Sequence, residues 1–60
     1  MNRQIFEKHM GQHVKIVLKP NFFAIDGIIN RVFDDCFEFT TRQRTSYIDF
    51  DNVASIVPLE

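Results

Sequence analysis

The apolar residues change period at Gly11, and that change constrains the fold more than any other feature. Before it, Ile5, Phe6, His9 and Met10 recur at spacings that place one stripe along a helix. Asn2 is a favoured N-cap and Gly11 stands where a helix-ending glycine belongs, so a helix is expected over about residues 2–10. A helix this short is not stable alone and must pack on something. After Gly11 the period becomes two. Val14, Ile16 and Leu18 alternate with His13, Lys15 and Lys19, the mark of a half-buried strand.

Four more strands follow. Pro20-Asn21 signals a turn, after which Phe23, Ile25, Gly27 and Ile29 share one face of a second strand. A glycine in mid-strand weakens pairing unless the backbone bends sharply or another chain segment approaches closely, so Gly27 reads as a barrel bend. Asp34-Asp35 breaks the pattern. Phe37 and Phe39 share a face of a third strand, with Glu38 and Thr40 opposite. Thr41 to Arg44 reads as a polar hairpin tip, and Tyr47, Ile48 and Phe50 mark a fourth strand. Asp51-Asn52 reads as a tight turn, and Val53 to Val57 as a fifth strand ended by Pro58.

The expectation is a mainly β domain with one N-terminal α-helix, in which five short, strongly bent antiparallel strands close into a small SH3-type barrel. Residues 1–60 make one domain, with the barrel over about 12–57. A 60-residue chain buries only roughly 60% of the surface it exposes when unfolded, so its core is marginal. Disulfides, metals or partner subunits usually support such scaffolds. The single Cys excludes an internal disulfide, which leaves association with copies of itself as the simplest remaining support. Leftover edges of the fourth and fifth strands could pair with those of a neighbouring copy, and such head-to-tail contacts close into a ring when the rotation allows.

At this point the residues resemble the Sm and Sm-like family, which includes bacterial Hfq. The resemblance spans nearly the whole chain and is strongest over residues 48–56. There the family's second motif typically reads Ile-Arg-Gly-Asp-Asn-Val-x-x-Ile. Ile48, Asp51, Asn52, Val53 and Ile56 match it, while Asp49 and Phe50 stand in place of Arg and Gly. Gly27 resembles the glycine of the family's bent second strand. Asp34 to Phe39 lines up with the family's Asp-x-x-Met-Asn-Leu, with Phe37 in the apolar or aromatic place and Glu38 in place of Asn. The resemblance implies an N-terminal helix, a bent five-stranded barrel, and a homo-oligomeric ring of about five to seven subunits that binds single-stranded RNA.

In typical Sm rings a uracil lies in an inner pocket, read by the Asn and sandwiched between the aromatic or apolar side chain and the Arg. Carried over residue by residue, this chain offers Asp34, Phe37, Glu38 and Asp49. Two unit charges about 4 Å apart interact with roughly 4 kcal/mol at an effective dielectric near 20. A ring bringing several copies of these acids toward one axis would therefore repel phosphate. Phe37 could still stack a base, worth about 1–3 kcal/mol. Arg42 and Arg44 at the hairpin tip could grip phosphates, multiplied by the ring. The candidate RNA-binding residues are thus Phe37, Asp34, Glu38, Asp49, Arg42 and Arg44. A second reading is a protein-interaction or scaffold ring that has lost uridine recognition, and a third is a single Sm-like module docked on another protein.

The remaining chemistry-bearing residues have plainer readings. Most of the seven Phe residues belong to core and interface. Asp34, Asp35, Asp49 and Asp51 match no dedicated calcium loop; Asp51 reads as a turn cap and the others as solvated. His9 and His13 are four apart but straddle Gly11, so no metal site is expected. Cys36 follows two acids, which raise a thiol's pKa, so it reads as a packing residue. There is no Ser-His-Asp arrangement, glycine-rich phosphate loop or cofactor signature, and no enzyme activity is expected. No stretch approaches the roughly 18 apolar residues of a transmembrane helix. With no signal-peptide run and a lone thiol, a cytoplasmic location without membrane contact is expected.

Overall fold

A computed structural model describes residues 2–59. The chain forms α1 (Arg3–Lys8), β1 (His13–Leu18), β2 (Phe23–Val32), β3 (Cys36–Thr40), β4 (Thr45–Asp49), a 3-10 turn (Phe50–Asn52) and β5 (Val53–Pro58). Asn2 caps α1 by accepting a hydrogen bond from the Gln4 amide at 2.8 Å, and Gly11 takes a left-handed φ of 81°. The Gly11 amide donates to the Ile29 carbonyl at 2.8 Å, which pins the helix exit to β2. The expected apolar stripe reduces to one residue. Phe6 is buried, whereas Ile5 and Met10 are exposed, because a six-residue helix reaches the core with one side chain.

The five strands form one antiparallel sheet in the order β4-β3-β2-β1-β5. The sheet does not close, which corrects the expected closed barrel. Among the described residues, β4 and β5 each have a strand on one side only. Their ends still converge, since Asp49 and Val53 are joined by the three-residue 3-10 turn. Four residue steps span at most about 14 Å. The ring of Phe50 lies in the core at that convergence, and its amide donates to the Asp35 carbonyl at 3.1 Å. Phe50 is thus part of the turn and not of the fourth strand.

Two features curl the sheet. A Cβ on Gly27 would collide with the Thr40 carbonyl oxygen and stand 2.9 Å from the Phe39 ring, so the close approach expected at this glycine is that of β3. A bulge between Ile29 and Arg31 then shifts the inward phase of β2 from Ile29 to Val32. The core is Phe6, Val14, Ile16, Ile29, Phe37, Phe39, Phe50 and Val53, with Leu18, Ile25, Val32, Ile48 and Ile56 packed around it. Phe6 stacks on Phe37 at a centroid distance of 4.5 Å and on Phe50 at 4.6 Å, and Phe39 meets Phe37 edge-on at 6.0 Å. No helix among the described residues is long and apolar enough to cross a membrane.

Candidate functional site

Phe37 is fully buried, with rings on it from Phe6, Phe39 and Phe50. That corrects its reading as a base-stacking platform: its faces are taken up by the core. The alternation of β3 sends Phe37 and Phe39 inward together.

Glu38, opposite in phase, lies on the outer face, where the register sets it between Arg31 of β2 and Tyr47 of β4. The Tyr47 hydroxyl donates to its Oε2 at 2.9 Å, and Arg31 Nε stands 4.0 Å from its Oε1. The hydrogen bond to Glu38, then the charge of Glu38, push the Tyr47 phenol above its ordinary pKa. Asp34 sits in the turn between β2 and β3, where Arg3 of α1 donates from Nη1 to its Oδ1 at 2.6 Å. Asp49 is exposed at the end of β4, opposite Cys36. Burial first, then the charge of Asp35 and its hydrogen bond, and last the charge of Asp49, push the Cys36 thiol up.

The expected acidic set therefore divides. Asp34 is joined to the helix, Glu38 to a tyrosine and an arginine, and Asp49 forms no ion pair among the described residues. Asp51 is not a cap: it lies inside the 3-10 turn, whose N-cap position belongs to Asp49. His9 donates from Nδ1 to the Ile5 carbonyl at 2.8 Å. Among the described residues no group of three or more His, Cys, Asp or Glu is placed to hold a metal.

Arg42 and Arg44 occupy the hairpin tip, as expected. The Thr41 amide donates to the Arg44 carbonyl at 2.9 Å, and Thr41 Oγ1 accepts from the amides of Gln43 and Arg44, each at 3.3 Å. The turn closes on itself and presents both guanidinium groups to solvent, with no ion pair among the described residues. Behind them an open groove of about 980 Å³ separates the hairpin from the first half of β2. His13 and Phe23 also line it, and Phe23 is 64% exposed. The sequence pattern put Phe23 on one face with Ile25, Gly27 and Ile29, of which Gly27 and Ile29 are buried. The usable signal was length, since a long second strand outruns a third strand that ends at the polar hairpin.

No family model matches the chain, and neither a curated protein nor a solved structure matches it.

Proposed function

We propose that the chain is an Sm-like subunit that joins copies of itself edge to edge into a ring and binds single-stranded RNA on the hairpin face. The observation that carries this reading is the pair of single-sided strands, β4 and β5, at the converging ends of one curled sheet. A β4 edge on one copy and a β5 edge on the next complement each other in hydrogen bonding, and a constant rotation closes the set. A ring of about five to seven copies repeats Arg42 and Arg44 around one face, where counterion release from RNA multiplies a modest contact. In this reading Arg42 and Arg44 bind phosphate, and no catalysis is involved. The cytoplasm is the compartment that suits it.

The burial of Phe37 and the carboxylate of Glu38 favour a second reading, a protein-interaction or scaffold ring without uridine recognition. Fluorescence anisotropy with oligouridine and oligoadenine at about 50 mM salt separates the two. The RNA reading expects binding that falls with added salt and is lost in Arg42→Ala/Arg44→Ala. Absence of binding at low salt leaves the scaffold ring.

A further inference from the structure

β2 is ten residues long and β3 is five. β1 pairs with Phe23–Ile28 on one side of β2, while β3 pairs only from Ile28 to Val32 on the other. Among the described residues, then, Phe23 to Asp26 have a strand on one side only, although β2 is an interior strand of the sheet, whereas Gly27 is buried against the end of β3. The hairpin that leaves β3 does not cover this stretch, because its turn hydrogen bonds run within Thr41–Arg44. The open groove lies over it.

An exposed strand edge presents a row of N–H and C=O groups that templates another strand. Native sheets blunt such edges with charge, proline or a covering loop, and the only charged side chain along Phe23–Asp26 is Asp26. Four residues of strand extend about 13 Å, so the groove has the length for one short extended segment. Its charge is lopsided. Arg42 and Arg44 face a single acid, Asp26. Phe23 adds an exposed aromatic surface at the near end.

We infer that this groove takes a sixth strand: an extended acidic segment of a partner protein that adds to the free edge of β2 at Phe23–Asp26. Main-chain hydrogen bonds to β2 supply the affinity, and alternate side chains supply the choice. Carboxylates on one face of the segment meet Arg42 and Arg44, and an apolar side chain on the other meets Phe23. Neither ring formation nor RNA binding is required for this, although RNA and the segment would compete for the two arginines.

The test is fluorescence anisotropy with a labelled peptide of alternating Glu and Val, its Lys-Val counterpart, and a Glu-Val peptide N-methylated at alternate amides. The expected result is that the Glu-Val peptide binds, with the other two at least about tenfold weaker. Arg42→Glu/Arg44→Glu weakens Glu-Val binding by a similar factor while leaving the circular dichroism spectrum unchanged. Hydrogen exchange of the amides in Phe23–Asp26 slows when the peptide is present. N-methylated and unmodified peptides binding equally would overturn strand addition. Oligouridine binding with no binding of the Glu-Val peptide would make the groove a nucleic-acid site and overturn the inference as well.

Discussion

Phe37→Ala separates a core residue from an RNA-contacting one. Phe37 is fully buried and meets Phe6 at 4.5 Å, Phe39 at 6.0 Å and Phe50 at 6.1 Å. Truncation removes its transfer free energy and leaves a cavity among rings that cannot all collapse into it, which costs about 3–5 kcal/mol. For 60 residues, total stability is about 3–9 kcal/mol at 0.05–0.15 kcal/mol per residue. The variant should therefore be largely unfolded or close to it. Urea denaturation followed by far-UV circular dichroism, at one fixed protomer concentration, reads the change in midpoint. Phe37→Leu, a smaller change of shape and volume, should remain folded at lower stability and should bind oligouridine as the parent does. If Phe37→Ala stays within about 1 kcal/mol of the parent and loses oligouridine binding, Phe37 is a stacking residue and the core described here is wrong.

Other perturbations follow from the same geometry. Gly27→Ala should destabilise by about 1–3 kcal/mol, read by urea midpoint, because its Cβ meets the Thr40 carbonyl and the Phe39 ring. Phe22 is exposed and holds a φ of 55°. Phe22→Asn should therefore raise the melting temperature by a few degrees, since Asn tolerates the left-handed region better than a bulky residue. Tyr47 is the chain's only Tyr and there is no Trp, so tyrosinate absorbance reports it alone. Its midpoint should lie above about 10, and Glu38→Gln should bring it down. Because the folded-state pKa is raised, this bond's contribution to stability is complete below the unfolded-state value. It is lost as pH rises through the folded-state value, and Tyr47→Phe should lack that alkaline loss.

The legible parts of the fold were those with a local cause. Asn2 marks the helix start because capping is a matter of one or two residues, whereas α1 ends at Lys8 with His9 as its C-cap, short of the expected stop at Gly11. Val14 and Ile16 alternate inward, as do Phe37 and Phe39, because a pleated strand has no other choice. Gly27 was legible as a close approach, although what approaches it comes from a residue thirteen positions later. The bulge after Ile29 was not legible, since one extra residue changes the inward phase without changing the composition. Phe23 was misplaced for a different reason. Its phase matches the core face, but no strand continues β3 far enough to cover it. The role of Phe37 failed where resemblance was asked to override burial, and Glu38 found its partners only through the register that brings Arg31 and Tyr47 beside it.

Multi-angle light scattering on the purified protein at micromolar concentration tests the edge-to-edge assembly most directly. The expected mass is about five to seven times the 7.1 kDa protomer, with a shift to smaller species when Tyr47→Pro removes an outward-facing amide from the free edge of β4. A mass near 7.1 kDa across the concentration range would mean that the open edges stay unpaired in solution, and the ring would have to be abandoned.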